Sequence, residues 1–573
     1  MNQHCPLCQS AFEITSDDLA FYEKVSPTFN GKKELIPPPT LCPDCRQQRR
    51  LAFRNERCLY HRKCDLTGRQ MITMYSPDKP YKIYDQEAWW SDNWDPLATG
   101  RSYDPAQSFF KQFDALFHEA PRISLINMNH QNAEYCNFAL KNKNSYLLFT
   151  SAECEDSLYM NRSWRSRNCA DCSSLEDGEL CYEVLNSDHC YNCLYLQNCA
   201  NCSDCYLGYN LHGCKNCFAC YGLTNASYCI GNKKFEKAEY EEAVGMLRKD
   251  IGAVRENFED QKRAQPRKYM DCINADSCTG NAISHSKHAL NCFEVMNVED
   301  CNFVCNATFM KDAYDVNNDD HSELVYEAVG SETNSMHAFN DICWFNREVL
   351  YSSLCFRCKN CFGCIGLKHK QYCILNKQYS KDEYEKLVPT IIDHMRHDGG
   401  NGFAMNRSPS TALRVNQATG SWGEFFPVSI SPFGYNETMA EEHFTLSKEE
   451  ILARGWKWHQ EEDLKDQYLG PQYQIPDSIA DVPDDVTKQI LRCSVTGKPY
   501  KIIPQELKFY RDMNIPIPRK CPNQRHRERI ALRNPRRLWD RGCAKCGKGI
   551  VTSYAPERPE QVLCEECYLT AVY

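Results

Sequence analysis

From Cys136 to Cys229 the buried-type positions are set on a beat of three: every cysteine in the stretch falls in the same residue class when positions are counted in threes. A slower beat of nine lies over it, through Cys172, Cys181, Cys190, Cys199, Gly208 and Cys217, with Cys136, Ser145, Cys154 and Ser163 earlier in the same column. Asparagines recur beside these positions, at Asn192, Asn201 and Asn210 and again at Asn198, Asn216 and Asn225. Small and Asn-rich positions at a fixed period predict a solenoid that stacks equivalent side chains. Nine residues suit a strand plus a turn, so two beats predict one coil of about eighteen residues. Residues three apart on one strand face opposite ways, so the CxxC pairs are expected to straddle corners.

The pattern is doubled. CKNCFACYGLTNASYCIGNKKFEKAEY returns 144 residues later as CKNCFGCIGLKHKQYCILNKQYSKDEY. Each copy runs into a helical stretch; the first, FEKAEYEEAVGMLRKDIGAVRENFEDQKRAQ, carries apolar residues at helical spacing and no proline before Pro266. These helices are expected to cap or brace the solenoid. Further on, Ser447 and Glu450 form a capping box at the head of another helix.

The two ends are also copies of one another. Residues 42–80 align without a gap to residues 521–559, sharing among others Arg46/Arg525, Arg50/Arg529, Arg54/Arg533 and Cys64/Cys543. Each copy has places for two four-ligand sites and keeps one. Cys5, Cys8, Cys42 and Cys45 are intact in the first copy, where Cys64 is left with Thr67, Asp85 and Ala88. Cys543, Cys546, Cys564 and Cys567 are intact in the second, where Cys493 and Cys521 are left with Thr496 and Gln524. Two CxxC knuckles bring four sulfurs to a tetrahedron that suits zinc, and four thiolates leave no open position for substrate, so the expectation is two structural zinc ions.

The segment CAKCGKGIVTSYAPERPEQVLCEECY resembles a zinc-binding domain of pattern CxxC, seventeen residues, CxxC. Through CPDCRQQRRLAFRNE, VSISPFGYNETMAEEHF and RHRERIALRNP the whole chain is similar to a group of bacterial cysteine-rich proteins with terminal zinc ribbons. The resemblance implies zinc and the ribbon fold, and no activity.

The expected fold is mainly β with some α: terminal zinc ribbons flanking a duplicated cysteine-rich parallel β-solenoid with capping helices. The expected boundaries are a ribbon module at 1–95, a helical connector at 96–129, the first solenoid copy at 130–235 and a helical insertion at 236–268. The second solenoid copy follows at 269–378, a helical and irregular linker at 379–490, and the second ribbon module at 491–573.

The chain has 37 cysteines, and its opening residues lack the pattern of a secretory leader. That favours reduced thiols, metal sites over disulfides and a cytoplasmic setting. No apolar stretch is long enough for a membrane span. The central cysteines read as small residues filling a tight interior, with zinc and iron–sulfur as rival readings. Cys355, Cys358, Cys361 and Cys364 approach a ferredoxin run but lack its wider gap and following proline.

Net charge is −9, yet the ribbon modules are arginine-dense. Arg46, Arg49, Arg50, Arg54 and Arg57 in the first, with Arg525, Arg527, Arg529, Arg533, Arg536 and Arg537 in the second, are candidates for contacting RNA or a ribonucleoprotein. The competing reading is that they bind the acidic body of the same chain. No catalytic motif and no small-molecule substrate emerge. A protein-interaction scaffold using the solenoid surface, and a thiol-redox or metal-storage protein, complete the alternatives.

Overall fold

Backbone conformation repeats every three residues through both solenoid copies. In the computed structural model, which describes residues 1–248, 251–398, 420–460 and 473–572, every third residue from Asn129 to Asn210 has a φ near +50°, among them Asn186, Asn192, Asn198 and Asn201. Asparagine tolerates this left-handed conformation better than other non-glycine residues, which explains its recurrence in the sequence. The two residues between these corners are extended, and the inward one is the cysteine position.

The coil closes after twelve residues. Cys181 pairs with Cys193, Cys205 with Cys217 and Cys217 with Cys229 in parallel register. One column therefore stacks Cys169, Cys181, Cys193, Cys205, Cys217 and Cys229. This corrects the expected eighteen-residue coil. The unit is a tripeptide side, four sides make a turn, and the nine-residue beat is three sides of it. Both members of a CxxC pair point inward across a left-handed corner, so the pairs do straddle corners.

Main-chain hydrogen bonds satisfy two residues of each triplet. The Asn137 N–H donates to the Leu148 carbonyl one coil on (3.0 Å), and the Thr150 N–H donates back to the Asn137 carbonyl (3.1 Å). The inward residue's N–H is left over, and where the inward side chain one coil earlier carries a lone pair, that side chain accepts it. Cys154 N–H donates to Asn142 Oδ1 at 2.9 Å, Ser157 N–H to Ser145 Oγ at 3.3 Å and Leu211 N–H to Cys199 Sγ at 3.4 Å. The same thiol donates to a carbonyl of its own coil, Gln197 O at 3.3 Å. Cysteine, serine and asparagine thus recur inside because they are small and can accept that amide. The second copy is more aliphatic, with Val295, Val298, Val304 and Val316 buried in the bore beside Cys292 and Cys301.

Each copy ends in an antiparallel hairpin, Lys233–Lys234 on Cys229–Ile230 and Lys377–Gln378 on Cys373–Ile374, which closes the sheet edge. The helical insertion consists of Lys237–Leu247 and Ile251–Arg263 and braces the flank of the first copy, burying Tyr240, Val244 and Phe258 in one core with Tyr206 and Phe218. Phe109–Glu119 and Lys381–His397 pack on the second copy through Phe109, Phe113, Val388 and Ile392. The capping box at Ser447 and Glu450 forms. Among the described residues no helix is long and apolar enough to cross a membrane.

The ribbon modules dock crosswise. The helix Ser16–Val25 of the first lies on the second solenoid, with Phe21 stacked on Tyr314 (3.8 Å between centroids) and Tyr22 against Tyr326 (5.3 Å). The helix Pro504–Asp512 of the second lies on the first solenoid, with Tyr510 against Tyr182 (5.8 Å). Tyr182 and Tyr326 are 144 residues apart, the offset that relates the two copies. The molecule therefore has an internal pseudo-twofold arrangement.

The amide-accepting role of the inward thiols gives an ordering of substitutions. Cys199→Ser keeps an acceptor for the Leu211 N–H, whereas Cys199→Val leaves that amide buried and unpaired at about 1–3 kcal/mol. Urea unfolding is expected to show the valine variant less stable than the serine variant; the reverse order would refute the ladder.

Candidate metal centres and the placement of the arginines

Each four-cysteine site is a hairpin knuckle set against a helix start. Cys5 and Cys8 lie between the strands Asn2–His4 and Ala11–Glu13, while Cys42 caps the helix Pro43–Leu51 and Cys45 sits in its first turn. Cys543 and Cys546 lie between Trp539–Gly542 and Gly549–Thr552, with Cys564 and Cys567 at the start of Glu565–Val572. The residue after each knuckle's fourth position is left-handed: Gln9 (φ 64°), Gly68 (72°), Gly497 (69°) and Gly547 (76°). Three of the four are glycine because that turn needs it.

In each quartet the four sulfurs lie within 4.8 Å of one another, and among the described residues these are the only such groups of potential ligands. Cys8 Sγ is 3.5 Å from Cys42 Sγ, and Cys546 Sγ is 3.8 Å from Cys564 Sγ. A tetrahedral ion with sulfur ligands at ~2.3 Å separates them by about 3.8 Å, so both quartets fit one. Without an ion the thiols compete for protons: hydrogen bonds from Cys42 and Cys45 push Cys5 far down, and the same contacts push Cys45 far up. At the other site burial opposes ionisation of Cys543, yet the N–H groups of Cys564, Cys546 and Lys545 bring it down to about 6. In each site one thiol is thus drawn toward the thiolate that metal binding requires while a neighbour is pushed the other way.

The two degenerate sites are knitted by hydrogen bonds. Cys64 Sγ accepts from the Thr67 and Asp85 N–H groups (3.4 and 3.3 Å), and Thr67 Oγ1 donates to Asp85 Oδ2 (3.0 Å). Asp85 Oδ1 in turn caps the short helix Gln86–Trp90 through the Ala88 N–H. In the second module Gln524 turns away to Glu528 (3.0 Å).

The solenoid thiols are buried, apart from the half-buried Cys272 and Cys278 at the start of the second copy. Where no second thiol lies in hydrogen-bonding reach, burial pushes them up to about 12, as at Cys136, Cys154 and Cys301. A reactive thiol needs the opposite setting, exposed and low in pKa.

The candidate nucleic-acid arginines are mostly drawn inward. Arg46 pairs with Asp315 (2.9 Å), Arg50 with Asp315 and Glu327 (3.2 and 3.3 Å), and Arg49 with Glu327 and Glu424 (2.8 and 2.6 Å). In the other half Arg525 pairs with Asp171 and with Glu506 (3.3 Å), and Arg529 with Asp171 (2.9 Å). Asp171 and Asp315 are equivalent positions of the two solenoid copies, so one clamp is built twice. Arg54 bonds Glu56 (2.5 Å) and Thr150 (3.3 Å), while Arg533 and Arg536 bond Glu294 (3.1 and 2.7 Å). Arg57 is half-buried over Phe149. Of the eleven, Arg527 and Arg537 are exposed. Of the two readings, RNA contact and pairing with the acidic body of the same chain, these ion pairs show the second for the buried arginines: a helix carrying arginine at every fourth position meets carboxylates of the solenoid. The signal missed in the sequence was the recurrence of Asp171 as Asp315.

Compared with known proteins, the chain matches no protein-family model and no curated protein.

Elemental analysis of the purified chain is expected to give two bound metal ions per molecule, released by a strong chelator with loss of the thermal midpoint. Asp171→Asn or Asp315→Asn leaves two buried guanidiniums short of a carboxylate and is expected to destabilise the fold by about 3–5 kcal/mol. A thermal midpoint unchanged in both variants would remove the clamp from the account.

Proposed function

We propose that the chain is a non-enzymatic, zinc-clamped scaffold that offers its paired solenoids to a protein partner. Zinc is the ion that four thiolates in a closed tetrahedron suit best, and such a site leaves no position for substrate. A chain whose 37 cysteines form no disulfide suits a reducing compartment, so the reading includes a cytoplasmic setting. The observation that carries it is the inward burial of Arg46, Arg50, Arg525 and Arg529 on Asp315 and Asp171. Those arginines brace one half of the molecule against the other, and little of the basic charge is left for phosphates. What faces outward between the halves is concave: a cleft of about 790 Å³ lined by residues of both solenoid copies.

The RNA reading keeps Arg527 and Arg537 as contacts. Ultraviolet crosslinking of the full chain in cells, followed by nuclease digestion and salt washes, separates the two. The scaffold reading expects a protein partner that survives nuclease and rebinds as a purified component. Stoichiometric RNA lost on Arg527→Glu/Arg537→Glu substitution, with no protein retained, would overturn it.

A further inference from the structure

The cleft between the solenoids is built from equivalent columns of the two copies. On the first, Trp164, Glu176 and Asp188 stack one coil apart; on the second, Asp320, Glu332 and Trp344 do so, through consecutive parallel bridges. Glu176 and Asp188 are the positions equivalent to Asp320 and Glu332, so two carboxylate ladders face one space.

The ladders differ in how they are neutralised. Glu176 is paired with Arg165, and Asp188 with His189 (3.0 Å). Asp320 accepts only from Thr308, at 2.8 Å from its N–H and 2.7 Å from its hydroxyl, and Glu332 has no ion pair among the described residues. Burial pushes both carboxyls up, and Asp320 adds to the shift of Glu332. In all, seven carboxylates and three arginines line the cleft. Its sign repels nucleic acid and attracts a cation.

The floor makes a second, independent demand. Arg162 lines the cleft with its side chain 4% exposed, bonded through Nη1 to Glu294 (2.9 Å) and Asn306 (2.5 Å). Its Nε and Nη2 groups are buried with no acceptor, and both polar atoms of the Asn318 amide, which also lines the cleft, are unpartnered. Burial and the neighbouring Arg536 bring Arg162 down to about 10, as befits a guanidinium short of acceptors. A bare cation satisfies the ladder and leaves this floor unpaired. An extended peptide brings both cationic side chains and backbone carbonyls, and Trp344, half-buried in the cleft wall one coil on from Glu332, offers an aromatic face to an aliphatic stem.

We propose that this cleft takes an extended basic segment of a partner protein, a lysine or arginine of the segment pairing with Asp320 and Glu332, its stem lying on Trp344, and its backbone carbonyls accepting from Arg162. The proposal rests on the scaffold reading and names the chemistry of the partner.

The test titrates the full chain with an acetylated hexapeptide of alternating arginine and alanine, following tryptophan fluorescence and heat, with the glutamate-for-arginine peptide, single-stranded oligouridylate and magnesium alone as comparisons. Binding of the basic peptide is expected, weakened about tenfold or more by Asp320→Asn/Glu332→Gln. Both substitutions are isosteric and relieve like charge, so an unchanged unfolding midpoint is expected; Trp344→Leu supplies a second variant that weakens the same peptide. Absence of binding, equal binding by the double variant, or tighter binding of the acidic peptide, the oligouridylate or magnesium would each overturn the proposal. A purified partner that binds the double variant as well as the native chain would sink the cleft assignment and leave the scaffold reading intact. A chain with no protein partner at all would sink both.

Discussion

A backbone that turns a corner every three residues leaves one amide in three pointing into the bore with no main-chain acceptor. That constraint governs the middle of the molecule. The bore is filled by side chains, Leu148, Leu175 and Leu196 among the cysteines, and its amides cannot reach water. A short side chain with a lone pair fills the space and accepts such an amide at once, as cysteine, serine and asparagine do, while the leucines and valines at other inward positions only fill space. The high cysteine content therefore follows from geometry: sulfur accepts an amide as it does for Leu211 and donates to a carbonyl as it does at Gln197. Corners are filled by asparagine, glycine and others held left-handed by the ladders on either side.

The same thiol chemistry has a second use at the ends. In the bore the sulfurs stack in columns, enclosed by the coils above and below. In the ribbons they converge in fours beside helix N-termini and backbone amides that favour the thiolate. What divides structural packing from metal binding is thus the arrangement of the sulfurs and the N–H groups around them, with the residue type the same in both.

Much of this was legible in the sequence. The two quartets, the duplication of ribbon and solenoid, the parallel solenoid itself and the capping box at Ser447 could all be read from spacing. The coil length could not, because nine and twelve are both multiples of the tripeptide and the column of Cys169, Cys181, Cys193, Cys205, Cys217 and Cys229 competed with a shorter beat. The destination of the arginines also lay beyond local pattern. Arg46 and Asp315 are 269 residues apart, and only their pairing in space shows that the basic helix is an internal clamp. The cleft was invisible for the same reason, since its two walls come from separate copies.

The crosswise docking carries a consequence for how such a chain is made. Cys5 to Cys45 emerge from the ribosome early and can gather an ion at once, but the carboxylates awaiting Arg46 and Arg50 follow far behind, and those for Arg525 and Arg529 are made long before their partners. The clamp on the second solenoid can close before the last module is made, whereas the first solenoid waits for that module. Contacts of such long sequence separation are slow to form, so during translation the first solenoid shows an unshielded Asp171 and an aromatic flank at Tyr182. For that interval the nascent chain bears a carboxylate and an aromatic flank that its own last module later covers.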